Sequence, residues 1–241
     1  LIVLSLVFSL AGLTLNKEME ASSFSYAIAI DSSESMGAVD IMPNRIESAK
    51  ENSMVFIDSL PYNTKVAILS FAGNTYIEQA LTNNKIILKD SIKKIKLTNL
   101  GGTDVYEVVS IASLMLKEEE NKALIILSDG QVNVGKTVEI IQNANNNRIL
   151  IHTIGIGTAK GGKTEFGISR MDEDLLKALS YNTGGKYFNI DSKEKMQDAF
   201  KEIIPLTKRM GGINLSFYLI ITTIVLFIIK ELIVIATRIA L

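Results

Sequence analysis

An apolar run that ends in an aspartate leads into a group of side chains that could bind a metal ion. Ile28-Ala29-Ile30 leads into Asp31, and serines stand at the alternate positions Ser33 and Ser35. A short apolar run set among helical segments is typical of a buried parallel strand. One carboxylate and two hydroxyls would then converge just beyond the carboxyl end of that strand. Hard oxygens around one point suit Mg²⁺, which prefers octahedral oxygen ligation.

Two later segments carry similar groups at corresponding places. Gly101-Gly102-Thr103-Asp104 stands before an apolar-periodic helix, and a second apolar run ends in Ser128-Asp129-Gly130. Each segment alone is typical of a turn or a helix cap. Parallel α/β sheets place their ligands outside the carboxyl ends of the strands. All three segments are therefore expected to face one crevice.

The order of these motifs, D-x-S-x-S, then G-G-T-D, then S-D-G, resembles the metal-ion-dependent adhesion site of von Willebrand factor type A domains. Other stretches look like the membrane-anchored bacterial and archaeal A-domain proteins of the aerotolerance (Bat) type. These stretches are residues 35–45, 70–73, 154–158 and 183–188. The resemblance covers roughly residues 24 to 235, which is nearly the whole chain.

The resemblance implies a metal-gated docking module rather than an enzyme. The metal, Mg²⁺ or Mn²⁺, would be held by Asp31, Ser33, Ser35, Thr103 and Asp129. The three hydroxyls would bind the ion directly, and the two aspartates would act largely through bound waters. An Asp or Glu carboxylate from a protein partner would complete the coordination. The implied partners are sibling A-domain membrane proteins and MoxR-type AAA+ ATPases.

An alternative from another class is a Mg²⁺-dependent hydrolase that uses the same carboxylates to hold a metal-activated water. It needs a general base, and the sequence displays no nucleophile–base pair. The single histidine, His152, lies within a predicted strand, where a half-buried, hydrogen-bonded role is favoured over a catalytic one. Asp40 follows Ser35 in the same loop. It either shapes that loop or biases the metal or its partner, and the sequence leaves both interpretations open.

A phosphate-loop pattern, G-x-x-x-x-G-K-[ST], occurs at residues 157–164. A working phosphate loop opens a helix, whose amides and dipole hold the phosphates. Gly167 and the β-branched Ile168 follow this pattern and are poor helix starters. We therefore predict that the segment is a glycine-rich connection without nucleotide binding.

The elements that must position these groups alternate between strand and helix. Strands are expected at residues 26–31, 65–71, 75–80, 122–128, 148–155 and 186–190, and helices at 44–59, 84–95, 103–117, 136–146, 171–181 and 193–207. This alternation predicts an α/β fold with a doubly wound, mostly parallel sheet and helices on both faces. The Gly73-Asn74 turn makes the strand at 75–80 the expected antiparallel edge.

Apolar segments bracket this domain. We expect a hydrophobic N-terminal segment at residues 1–15, an A domain at 22–209 and a transmembrane helix at 213–235. The first segment is short for a span, which needs about 20 residues, and suits either a clipped transmembrane helix or part of a signal peptide. Lys230 and Arg238 favour a cytoplasmic C-terminus. The chain would then be an integral membrane protein with its A domain outside the cytoplasm.

Composition excludes several classes of function. The chain has 241 residues and a formal net charge of −1, so nothing suggests a nucleic-acid partner. It contains no cysteine and one histidine. Disulfides, thiolate metal sites and multi-histidine metal sites are therefore impossible within the chain.

Overall fold

The computed structural model describes residues 14–18, 24–98, 102–131, 136–158, 160–164, 167–190, 195, 199–200, 202–203, 210–214 and 216–239. Contacts divide the chain into two compact units. One is Ala21–Lys208, and the other combines Leu1–Glu20 with Arg209–Leu241.

The strands, in chain order, are β1 (Thr14–Glu18), β2 (Phe24–Asp31), β3 (Val66–Phe71), β4 (Thr75–Thr82), β5 (Asn121–Ser128), β6 (Ile149–Ile156), β7 (Gly162–Thr164), β8 (Gly167–Ser169), β9 (Tyr187–Ile190) and β10 (Met210–Asn214). The helices are α1 (Arg45–Ser59), α2 (Lys85–Lys94), α3 (Val105–Met115), α4 (Thr137–Asn146), α5 (Asp174–Thr183) and α6 (Ser216–Ile239). A short 3₁₀ helix spans Glu34–Gly37.

Six strands form the main sheet in the order β4-β3-β2-β5-β6-β9. Every neighbouring pair is parallel except β3 and β4, which are antiparallel. The prediction of a mostly parallel sheet with one antiparallel edge strand is therefore confirmed. The chain first builds outward from β2 to β4, then crosses to the other side of β2 and continues from β5 to β9. The strand order thus reverses between β2 and β5, and such a switch point is where open α/β sheets bind ligands.

The core forms two layers because successive strand residues face opposite sides of the sheet. On β2, Tyr26, Ile28 and Ile30 pack on the side of α1 and α2. Ala27 and Ala29 pack on the side of α3, α4 and α5. All these side chains are buried, and the prediction of helices on both faces is confirmed.

Side-chain caps determine where two helices near the switch point begin. The Asn44 side chain accepts a hydrogen bond from the Glu47 amide at 2.8 Å and starts α1 at Arg45. The Asp104 side chain accepts one from the Glu107 amide at 3.0 Å and starts α3 at Val105. Each cap satisfies an amide that the first helical turn leaves without a partner.

The second unit contains an antiparallel pair of strands, with Thr14 opposite Asn214 and Glu18 opposite Met210. The strand β10 therefore occupies residues at which the predicted C-terminal span was to start, and α6 begins at Ser216. Most of the predicted N-terminal segment and most of the predicted helix at 193–207 lie outside the described residues. Within the described part of the chain, no helix combines the length and the apolar character needed to cross a bilayer. The flanking spans stay predictions.

Candidate metal site

Asp31 ends β2 and is fully buried. One of its carboxylate oxygens accepts a hydrogen bond from the Ser33 amide at 2.9 Å, and the other accepts one from the Ser128 hydroxyl at 2.6 Å. The first bond folds the chain back over the strand end. That turn places the Ser33 and Ser35 hydroxyl oxygens 3.1 Å apart. Three of the predicted site residues therefore lie together.

Asp129 follows β5, the strand beside β2 in the sheet, and is also fully buried. Burial, then the charge of Asp129, raises the pKa of Asp31 to about 6, although hydrogen bonds from Ser128 and Ser33 partly oppose the shift. Such a shift means that the ionised Asp31 carboxylate is less well stabilised here than in water. Among the described side chains, those of Ser128 and Ser33 hydrogen-bond to it, and both are neutral hydroxyls rather than basic groups.

Thr103 lies at the same edge of the sheet and is 2% exposed. Its loop is tied down by the Asp104 amide, which donates to the Ala72 carbonyl at 3.0 Å. Ala72 directly follows β3, whose last residue, Phe71, pairs with Asp31. Gly102 lets the Thr103 loop approach β3 in this way, because its φ of 94° lies in the left-handed region that glycine adopts readily. No hydrogen bond of the Thr103 hydroxyl links it to the other four residues.

The oxygen groups of this cluster fit a small divalent cation. Adjacent ligands of an octahedron with Mg²⁺–oxygen distances of 2.0–2.1 Å lie about 3 Å apart. The separation of 3.1 Å between the Ser33 and Ser35 hydroxyls matches that spacing. The described residues contain no group of three or more His, Cys, Asp or Glu suited to a metal.

Sequence reasoning missed Arg45, whose side chain is fully buried against the site. Its Nη1 donates to Asp129 Oδ2 at 2.8 Å and to Ser169 Oγ at 2.9 Å. Arg45 is the first residue of α1, where the helix dipole disfavours a cation. That unfavourable position was the one signal in the sequence that it has another role. Arg45 neutralises Asp129 in part and leaves Asp31 without a cationic partner.

Asp40 holds the other side of the same guanidinium. Its two oxygens accept from Arg45 Nε at 2.8 Å and Nη2 at 2.9 Å. Oδ2 also accepts from the Thr158 amide at 2.9 Å. Burial alone would raise the pKa of Asp40, but the hydrogen bonds from Arg45 and Thr158 outweigh it and lower that pKa. Of the two interpretations of Asp40, the structure supports the shaping of the loop, through Arg45.

The phosphate-loop pattern forms a strand where a phosphate site would need a helix. Gly162–Thr164 is β7, which pairs in antiparallel fashion with β8. Two glycines of the pattern, Gly157 and Gly162, instead allow the backbone to lie close to the Asp40–Arg45 ion pair. A Cβ atom on Gly157 would lie 3.1 Å from the Arg45 guanidinium, and one on Gly162 would lie 2.7 Å from Asp40 Oδ1. The prediction that this segment is a glycine-rich connection is confirmed.

His152 lies inside β6, where it is 1% exposed. Its Nδ1 accepts a hydrogen bond from the Lys186 amide at 3.2 Å, so Nε2 carries the proton of the neutral ring. Burial, and secondarily the charge of Lys186, lowers the pKa of His152 to about 4. The predicted hydrogen bond of His152 is confirmed, but the side chain is fully buried rather than half-buried.

Known proteins resemble this chain over much of its length. Residues 26–131 match the family model of the von Willebrand factor type A domain. A UPF0353 protein of Mycolicibacterium gilvum is 24% identical over 225 residues, which cover 84% of this chain and 67% of that protein. The chain thus spans about two thirds of the length of this curated relative.

Solved structures share the fold. Proximal thread matrix protein 1 from the mussel byssus, with a zinc-occupied metal-ion-dependent adhesion site, has a TM-score of 0.65, 22% identity and coverage of 88% of this chain and 52% of its own. An aerotolerance-related membrane protein of Bacteroides fragilis has a TM-score of 0.68, 23% identity and coverage of 76% and 98%. BatB of Bacteroides thetaiotaomicron has a TM-score of 0.69, 25% identity and the same coverage. Residues 26–131 thus match the von Willebrand factor type A domain, and the solved structures that resemble the chain include aerotolerance-related proteins of the BatB kind.

Proposed function

We propose that this protein is a metal-dependent docking module. A divalent cation, Mg²⁺ or Mn²⁺, would be held by Asp31, Ser33, Ser35, Thr103 and Asp129, and a carboxylate of a protein partner would complete its coordination. The observation that carries the proposal is the buried carboxylate of Asp31, which has no cationic partner among the described residues and lies beside paired hydroxyls. The zinc-occupied adhesion site of the mussel byssus protein supports it.

The residues divide the work according to their charge. Asp31 supplies the uncompensated negative charge, and the Ser33, Ser35 and Thr103 hydroxyls supply neutral ligands. Asp129 contributes less charge because one of its oxygens is bonded to Arg45 at 2.8 Å. A cation in such a shell keeps part of its charge and attracts a further anionic ligand.

Docking is favoured over hydrolysis by the groups around the two aspartates. The basic side chain in contact with Asp129 is Arg45, and a guanidinium has five N–H donors but no acceptor for a proton. Arg45 therefore cannot act as the general base that the hydrolase alternative requires. The docking module accounts for the site without such a base.

The test is Mn²⁺ and Mg²⁺ binding by calorimetry, with the chain solubilised in a mild detergent. Asp31→Ala should abolish measurable binding while the far-ultraviolet circular dichroism stays unchanged. Folding should survive because Asp31 belongs to neither apolar core layer and because burial, which raises its pKa, disfavours its charge in the metal-free fold. The matched control is Asp90→Ala, since Asp90 is exposed and paired only with Lys93 at 3.4 Å. Unchanged affinity of Asp31→Ala for Mn²⁺ and Mg²⁺ would contradict the assignment of Asp31 to the metal site.

We further propose that the domain is anchored to a membrane through the apolar segments at residues 1–15 and 213–235, with the A domain outside the cytoplasm. The almost charge-free run of residues 213–229 supports this, as does the description of the Bacteroides fragilis relative as a membrane protein. We propose that the anchored protein forms a membrane complex, in which its partners would be sibling A-domain membrane proteins and a MoxR-type AAA+ ATPase.

Removal of both segments tests the anchoring. Residues 21–210 alone should remain in the supernatant after a high-salt wash of membranes, whereas the full chain should sediment with them. High salt removes proteins that are held by charge alone. Sedimentation of the shortened chain under these conditions would place its membrane attachment elsewhere.

A further inference from the structure

A groove opens beside the metal site, between the loop after β2 and the β7–β8 hairpin. Its volume is about 240 Å³, and its lining includes Glu34 and Ser35 on the loop side, Gln131, and the hairpin residues Ile168 and Ser169. Sites for small molecules and cofactors usually measure 300–1,000 Å³. This groove is smaller, and its size suits one or two side chains of an approaching protein segment.

Hydrogen bonds hold the hairpin wall in place. Ser169 Oγ donates to Asp129 Oδ2 at 3.1 Å, and the Ser169 carbonyl accepts from Arg45 Nη2 at 3.1 Å. The Gln131 side-chain amide donates to Ser169 Oγ at 3.0 Å and to the Arg170 carbonyl at 2.6 Å. A wall fixed in this way is formed before a partner arrives, so docking does not carry the entropic cost of ordering it.

The charge in the groove repels a partner's carboxylate when no cation is bound there. Glu34 is the charged residue of the lining. The guanidinium of Arg45 is fully buried and already bonded to Asp40 and Asp129. A partner carboxylate is therefore repelled unless a cation sits at Asp31, and a second acid beside the first would face Glu34 without compensation.

The hairpin adds an aliphatic surface to the groove, next to the place proposed for the cation. Ile168 is 65% exposed, and its side chain lines the groove. A partner residue that covered it would remove apolar surface from water on both sides.

We propose that the groove binds a protein segment in which a single Asp or Glu stands next to an aliphatic residue. The acid would reach the metal, and the aliphatic side chain would pack on Ile168. This inference rests on the proposed function and adds to it the chemistry of the partner.

Three fluorescein-labelled decapeptides test the inference by fluorescence anisotropy, with the full detergent-solubilised chain and Mg²⁺. They contain Leu-Asp, Ser-Asp or Leu-Asn in the same glycine-serine background. The Leu-Asp peptide should bind about tenfold more tightly than the Ser-Asp peptide, which corresponds to ~1.4 kcal/mol. Ile168→Ser should remove that preference without changing Mg²⁺ affinity. Ile86→Ser should keep it, since Ile86 is a similarly exposed isoleucine on α2.

The peptide measurements distinguish a failure of the groove inference from a failure of the proposed function. Equal, Mg²⁺-dependent binding of the Leu-Asp and Ser-Asp peptides overturns the groove inference and leaves the proposed function standing. Binding of the Leu-Asn peptide as tightly as the Leu-Asp peptide contradicts the carboxylate ligand, and with it the proposed function. Loss of the preference in Ile86→Ser as well as in Ile168→Ser shows that Ile168 is not the aliphatic contact.

Discussion

Replacement of Arg45 by methionine should destabilise the metal-free protein far more than the loss of an ordinary ion pair. Arg45 is fully buried and makes charged hydrogen bonds to Asp40 at 2.8 and 2.9 Å and to Asp129 at 2.8 Å. Methionine fills a similar volume but leaves both carboxylates buried without their cation. Breaking a buried pair from one side costs about 3–5 kcal/mol. Typical domains are stable by only about 5–15 kcal/mol, so the loss should be easy to measure.

The assay is urea unfolding followed by far-ultraviolet circular dichroism, without metal and with saturating Mg²⁺. The control is Lys65→Met, which removes the partner of Glu119 from a pair in which the Lys65 side chain is 51% exposed. Such exposed pairs contribute about 0–1 kcal/mol. Arg45→Lys should fall between the two, because it keeps the charge but lacks the fork that spans both Asp40 oxygens.

Mg²⁺ should stabilise Arg45→Met more than it stabilises the wild type. A cation bound beside Asp129 would replace part of the positive charge that the substitution removes, and a ligand stabilises the state that it binds. The reasoning is refuted if Arg45→Met loses no more stability than Lys65→Met, or if Mg²⁺ stabilises the variant less than the wild type.

Two further predictions concern His152 and Lys163. Because burial lowers the pKa of His152 to about 4 from an ordinary value of 6.5, the unfolded chain binds a proton between these pH values that the folded chain excludes. The free energy of unfolding should therefore fall by up to ~3 kcal/mol as the pH drops through this window. Asp31, with its raised pKa, has the opposite dependence without metal, so the measured quantity is the difference between wild type and His152→Leu; an identical pH profile for both would contradict the prediction. Lys163→Ala should leave ATP binding at background in equilibrium dialysis, because Lys163 lies on a strand rather than at a helix start, and tight ATP binding that depends on Lys163 would overturn this.

The sequence determined the sheet and the order of the site segments, because both depend on local patterns. The run at Ile28–Ile30 alternates its side chains between two core layers, as any buried strand must. Asp31 ends β2 and Asp129 directly follows β5, the neighbouring parallel strand, so the topology alone brings them to one edge. Asp104 was within reach of the same reasoning, since a carboxylate before an apolar-periodic run is a common helix cap.

Only the tertiary structure decided how the charges around that edge are shared. Arg45 contacts Asp129 and Ser169, which stand 84 and 124 positions away along the chain, and no local pattern specifies such distances. The same contacts explain why glycines follow β6, where the sequence shows a phosphate-loop pattern, and why Ile168 lies beside the candidate metal site. The pKa of Asp31 likewise depends on burial and on Asp129, because the stability of a charge is set by the whole surrounding fold rather than by its neighbours in the sequence.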